Sequence, residues 1–146
     1  MKTSPTGIAL IKHFESFRSE PYQCSASKWT IGWGHTRGVT ADTKSITMLQ
    51  ADILLACDLS AFERALDELV KVSLLQCEFD ALVSFTFNVG INAFQGSTLL
   101  RLLNSVSPAA PSEFARWNKA GGKVLAGLTR RRNAEWSMFI GNKVIL

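Results

Sequence analysis

The stretch from Leu74 to Val89 is apolar on nearly every side, with Phe79, Leu82, Val83, Phe85 and Phe87 spread around a helical period. A helix with no polar face cannot lie on a surface, so other elements must enclose it. The spacing predicts a central helix closed by Gly90, a residue suited to a helix end because it lacks a Cβ. Enclosure needs chain length. With 146 residues, 47% hydrophobic and 19% charged, one real core can form and intrinsic disorder is excluded. A membrane-spanning helix is not expected. The longest purely apolar run, Ile53 to Cys57, falls far below the roughly 20 residues a span needs.

The enclosing segments follow from spacing and caps. Residues 4–14 read as an amphipathic helix with Ser4 as N-cap, Pro5 at the first helical position, and Ile8, Ile11 and Phe14 inward. Thr47 with Gln50 reaching back, and Ile46 as a staple, predicts a second start. That helix runs to about Val70 with Leu54, Leu55, Phe62, Leu66 and Leu69 inward, long enough to join two lobes. Ser97 to Leu103 reads as a short helix, and Pro108 and Pro111 mark a loop. Ser112 is expected to cap a helix ending near Trp117. Gly121–Gly122 and Gly127 bound a loop, and Thr129 is expected to cap a last helix through about Phe139. Residues 18–39 break the pattern: Pro21, Gly32, Gly34 and Gly38 lie among Tyr22, Trp29, Thr30, Ile31 and Trp33. That mixture suits short strands too few for their own core, packed on the rest. The expected class is α+β, mostly helical.

Cys24, Cys57 and Cys77 are odd in number and widely spaced, and His13 and His35 are the only histidines. Neither a disulfide framework nor a zinc site is expected, and no cofactor is implied. Cys57 and Cys77 fall in apolar helical patterns and read as small core residues. Met1–Lys2 is followed by Thr3, Ser4 and Pro5 rather than an apolar run, so synthesis in the cytoplasm without a signal peptide is expected.

The net charge of +4 is uneven. Residues 1–100 hold eight Lys/Arg against ten Asp/Glu, whereas residues 101–146 hold eight against two. A basic last third suits an anionic partner such as nucleic acid, a membrane surface or a bacterial envelope polymer; a solvated basic face is the plain alternative.

Chemistry concentrates between Glu15 and His35. Glu15 sits at a helix end between Phe14 and Phe17, where a partly desolvated carboxyl can serve as a general acid. Taken alone it reads first as an ordinary solvated glutamate at a helix end. The whole pattern says more: Glu15, eight residues, Cys24, five residues, Thr30, then Ile31–Gly32–Trp33–Gly34–His35–Thr36. This resembles the phage-type lysozymes, the phage endolysins of glycoside hydrolase family 24. Phe79–Asp80–Ala81–Leu82, Phe87–Asn88–Val89–Gly90, Ala93–Phe94, Ser97–Thr98–Leu99, Trp117, Gly121–Gly122, Gly127–Leu128 and Arg130–Arg131–Arg132 extend the resemblance in order along nearly the whole chain.

The resemblance implies a single lysozyme domain over residues 1–146. A small β-containing lobe, about 16–60, would be joined by the long helix to a helical lobe made of the N-terminal helix and about 61–146. It implies hydrolysis of the β-1,4 bond between N-acetylmuramic acid and N-acetylglucosamine in peptidoglycan, with inversion. Glu15 would be the acid, and Cys24 and Thr30 would hold or activate water. His35 is expected to brace the sheet, Asn88 and Gly90 to shape the cleft floor, and Arg131 to pair with Glu15 while Arg130 and Arg132 stay more exposed. Trp29 and Trp33 could stack on sugars or pack the small lobe. Two positions depart from the family's usual pattern: Cys24, where Asp is commoner, and Ser27, where Gly often forms a turn. The expected partner is peptidoglycan, with no nucleic acid and no stable membrane insertion, acting as a monomer released to the wall by a holin-type permeabilisation.

Two other readings differ in class. A cysteine-dependent amidase or endopeptidase would use Cys24 and His35, but Cys24 lacks the helix N-terminus that usually activates such a thiol. A non-enzymatic module would bind envelope polymers through the basic last third.

Overall fold

The computed structural model describes residues 1–146. In chain order the elements are α1 (Pro5–Glu15), β1 (Arg18–Gln23), β2 (Trp29–Gly32), α2 (Met48–Leu69), α3 (Gln76–Val89), α4 (Ile91–Gln95), α5 (Thr98–Asn104), a 3-10 helix (Ala110–Arg116), β3 (Lys119–Ala120), β4 (Lys123–Val124) and α6 (Ala126–Phe139). The class is α+β and mostly helical.

The all-round apolar helix is the centre. Every residue of α3 from Phe79 to Thr86 is buried, and α1, α2 and α6 pack around it. Burying Phe79, Leu82 and Phe85 contributes about 2–3 kcal/mol each. Phe85 makes edge-on contacts with Phe94, Phe114 and Trp117, which draws the C-terminal elements against α3.

Helix α1 starts as its caps dictate. Ser4 Oγ accepts from the Gly7 amide, and the Ser4 amide and hydroxyl donate to Asp80 of α3. A Cβ on Gly7 would fall 2.7 Å from Asp80 Cγ, so only glycine permits this approach of α1 to α3. The helix stops at Glu15 because Ser16 turns to φ +60°, leaving the glutamate on the last turn. Helix α2, 22 residues long, begins with the Thr47–Gln50 capping box.

Strands β1 and β2 are antiparallel, with Tyr22 opposite Thr30 and Gln23 opposite Trp29. The Ile46 amide donates to Ser19 O and ties the segment before α2 to β1. Trp33 Nε1 donates to Asp52 at 2.8 Å, and Lys12 both pairs with Asp52 and lies over the Trp33 ring. Trp33 therefore joins α1, the hairpin and α2.

Several sequence expectations shift. Ser112 lies inside the 3-10 helix and donates to Ala109 O, because Pro111 already opens that turn. Thr129 lies a turn inside α6. Its amide donates to Leu125 O and its hydroxyl accepts from Asn118, so the chain enters the helix at Ala126 without a side-chain cap. Gly121–Gly122, expected in a plain loop, form with positive φ the tight turn of the β3–β4 hairpin. Cys57 is exposed, so it is not a core residue; Cys77 is half-buried against the core.

Candidate active site

A cleft of about 920 Å³ opens between the β1–β2 hairpin, the loop behind it, α2 and the α3–α4 junction. Glu15, Cys24, Thr30, His35, Asn88 and Gly90, scattered over 76 positions, all line it. Arg131 does not line it but lies directly behind Glu15. Its Nη1 donates to Glu15 Oε1 at 2.7 Å across 116 residues of sequence. The Glu15 side chain keeps 20% exposure and that of Arg131 only 4%, so the carboxyl reaches solvent while its partner does not.

Glycine places this carboxylate as much as arginine does. A Cβ on Gly34 would sit 2.9 Å from Glu15 Oε2, and Gly34 holds φ +87°. The loop after β2 can press on Glu15 only without a side chain there. Phe14 lies under the Arg131 guanidinium at 5.6 Å.

The other functional groups come from the hairpin. Cys24 follows β1 and is held by its own backbone: its amide donates to Lys28 O, and the Ser27 amide donates to Cys24 O. This tight turn puts Ser27 at φ +60°, the strained region that a glycine would occupy freely. The backbone at Lys28 and then at Ala26 holds the Cys24 thiol below its ordinary pKa, against a smaller desolvation effect. Thr30 is buried, and its hydroxyl donates to Lys28 O at 3.0 Å. His35 pairs by its backbone with Ile31, and its Nδ1 lies 2.8 Å from Asp58 Oδ2 on α2. That contact braces the loop against the helix. Trp29 and Trp33 lie outside the cleft lining.

A family profile described as phage lysozyme matches residues 12–135. The chain belongs to the phage lysozyme family. An endolysin of Bacillus phage PZA is 44% identical over 142 residues, covering 95% of this chain and 55% of that protein. The chain thus spans about half the length of this relative. An endolysin of Salmonella phage P22 is 41% identical, covering 96% of this chain and 99% of that protein. Among solved structures, the muramidase domain of SpmX from Asticaccaulis excentricus superposes with TM-score 0.88 at 40% identity, covering 95% of this chain and 97% of that one.

The structure departs from the sequence expectation at the arginines. Arg132, expected to be more exposed, is 1% exposed. Its Nη2 donates to Glu135 Oε1 at 2.9 Å, and its guanidinium lies over the Phe85 ring at 5.0 Å. Glu135 was not visible as a site residue. The signal was there: one acid four positions after Arg131 and three after Arg132, spacings that meet on a helix. Tyr22 was also missed; it lines the cleft, and burial, followed by the negative charge of Glu15, pushes its hydroxyl pKa up.

Proposed function

We propose that this chain is an endolysin muramidase that hydrolyses the β-1,4 bond between N-acetylmuramic acid and N-acetylglucosamine in bacterial peptidoglycan, leading to host cell lysis. The observation that carries this reading is a solvent-reaching carboxyl, Glu15, fixed by a buried arginine in a cleft whose hairpin wall holds Cys24 and Thr30. The muramidase domain of SpmX and the phage endolysins, similar over nearly the whole chain, support it.

In the proposed reaction Glu15 protonates the departing glycosidic oxygen. The bond from that oxygen to the anomeric carbon breaks with its electron pair going to the oxygen. Water attacks the anomeric carbon from the other face and inverts it, passing its proton toward Cys24, whose backbone surroundings favour the thiolate. Thr30, with its proton engaged by Lys28 O, presents lone pairs that accept from the same water. Asn88 and Gly90 shape the cleft floor, Gly90 at φ +96° turning the chain from α3 into α4. His35 supports the wall through Asp58.

The whole chain acts as one domain, with a small lobe about 16–60 and a helical lobe of α1 and about 61–146. It works as a monomer on the wall polymer, without nucleic acid, after a holin-type permeabilisation gives it access. No helix is long and apolar enough to cross a membrane. The cysteine-hydrolase reading lacks its usual means of activation: Cys24 sits in a turn of the hairpin rather than on a helix N-terminus.

Mass spectrometry of purified peptidoglycan digested by the protein tests this. Muropeptides ending in reducing N-acetylmuramic acid are expected, and proton NMR of the fresh product should show the α-anomer first. New amino termini without reducing ends would overturn the proposal.

A further inference from the structure

The buried charges behind Glu15 alternate in sign. Arg131 Nη1 meets Glu15 at 2.7 Å and Arg131 Nε meets Glu135 Oε1 at 3.1 Å. Arg132 Nε lies 2.7 Å from Glu135 Oε2. The row thus reads minus, plus, minus, plus, from the cleft into the core. Glu135 is 0% exposed. Ser84 on α3 clamps the row: its hydroxyl donates to Glu135 Oε1 at 2.7 Å, and its carbonyl accepts from Arg131 Nη2 at 3.1 Å. The carbonyl of Trp117 accepts from Arg132 at 3.4 Å. A hydrophobic core has no general need for these three buried charges, since replacing a buried ion network by apolar residues of similar volume is often neutral or stabilising.

We propose that Glu135 and Arg132 are positioning residues that set, through Arg131, the pH at which Glu15 gives up its proton. The inference rests on the reading of Glu15 as proton donor. With the row neutral overall, Arg131 is already satisfied by Glu135 and holds Glu15 in place without being its unshared countercharge. Removing the negative charge of Glu135 leaves Arg131 to favour ionised Glu15, which then loses its proton at lower pH. Removing the positive charge of Arg132 does the reverse. A role in packing alone would not give shifts of opposite sign. The other titratable or charged groups around the cleft are Tyr22 from β1, with Arg18 on its ring, Cys24 and Lys28 from the hairpin, Arg37 from the loop after β2, and the His35–Asp58 pair. These remain the same in every variant, so differences report the row.

The experiment is carbon NMR titration of the Glu15 carboxyl in the full chain, alongside the rate of reducing-end release against pH. It compares wild type, Glu135→Gln, Arg132→Met, the double variant, and Arg132→Lys as the charge-keeping control. Glu135→Gln should lower the Glu15 midpoint, and the alkaline limb of kcat, by ~1 pH unit, the scale of one buried charge acting across Arg131 on a carboxyl that reaches solvent. Arg132→Met should raise both, the double variant should return near wild type, and Arg132→Lys should match it, with KM little changed throughout. If Glu135→Gln does not fold, Arg132→Met against the double variant carries the same sign test. Equal Glu15 midpoints in all folded variants would overturn the proposal. A wild type that releases no reducing ends, with the midpoints still moving as stated, would instead overturn the muramidase reading.

Discussion

The two sides of the cleft are built by opposite means. The Glu15 side is long-range and interior: Glu15 at the end of α1 depends on Arg131 of α6 and on Ser84 of α3 behind it. The hairpin side is local: half-exposed Cys24 and buried Thr30 are held by backbone groups within four residues of Cys24. Losing a partner on the first side strands a buried charge, which costs about 3–5 kcal/mol. Changing a side chain on the second leaves the turn's backbone bonds in place. Chemistry and stability should therefore separate on the hairpin and be entangled on the helical side, unless a substitution there preserves shape.

Glu15→Gln is that shape-preserving case and carries the largest expected effect. The amide oxygen can still accept from Arg131, so the fold should hold. Without a proton to donate, turnover should fall by roughly a hundredfold or more. Rates of reducing-end release at matched folded fractions check this, and near wild-type turnover would remove Glu15 from the reaction.

On the hairpin side, Cys24→Ala should reduce turnover by about tenfold to a hundredfold with little change in Tm, since the Cys24 backbone bonds survive. Cys24→Asp should stay active. Its acidic limb should reach lower pH, because an ordinary aspartate ionises near pH 4 and an ordinary thiol near 8.5, and the backbone at Lys28 that lowers the Cys24 thiol narrows that gap. The sign is fixed by the base form: the water-handling group must be ionised, so activity rises as pH passes its midpoint. A dead but folded Cys24→Asp would point to a thiol nucleophile, and an unimpaired Cys24→Ala would leave Cys24 a packing residue.

Gly34→Ala crosses from one side to the other. The new methyl would fall 2.9 Å from Glu15 Oε2 on a backbone with φ +87°. It should cost about 1–2 kcal/mol of stability and lower kcat several-fold by displacing the carboxyl. Denaturant midpoints and steady-state rates measure both. A variant stable and fully active would show that the loop does not position Glu15.

The same contrast explains what could be read before the fold was known. Glu15, Cys24 and Thr30 lie within 16 residues, so their spacing is visible as a pattern. The central helix was visible because Phe79 to Phe87 leaves no polar face. Glu135 and Asp58 were not, because their partners are chosen by how α6 meets α3 and how α2 meets the loop after β2, and helix propensity carries neither. Arg132 illustrates the limit. Three adjacent arginines look alike in sequence, yet a helix turns successive residues by about 100°, so one of them faces solvent while Arg131 and Arg132 face the core. Thr129 misled for a related reason: a good capping residue was outweighed by the hairpin that feeds the chain into α6 earlier.

That division of the arginines also sets the smallest predicted effect. Of the eight basic residues of the last third, Arg131 and Arg132 are interior and paired, whereas the other six are exposed: Arg101, Arg116, Lys143, and Lys119, Lys123 and Arg130 on the β3–β4 hairpin and the first turns of α6. Salt reaches only the second group. Attraction between exposed charges and an anionic wall extends about 30 Å at 0.01 M salt and about 8 Å at 0.15 M. Lysis of whole cells should thus slow a few-fold over that range, and neutralising Lys119, Lys123 and Arg130 together should flatten the dependence. Turnover of short, uncharged glycan fragments should be flat with salt in both proteins, because the ion pair behind Glu15 is screened by protein rather than by ions. A flat lytic rate would make the exposed basic residues passive. A salt-sensitive turnover of the neutral fragments would break the comparison itself, since the charges on the helical side would then be open to solvent.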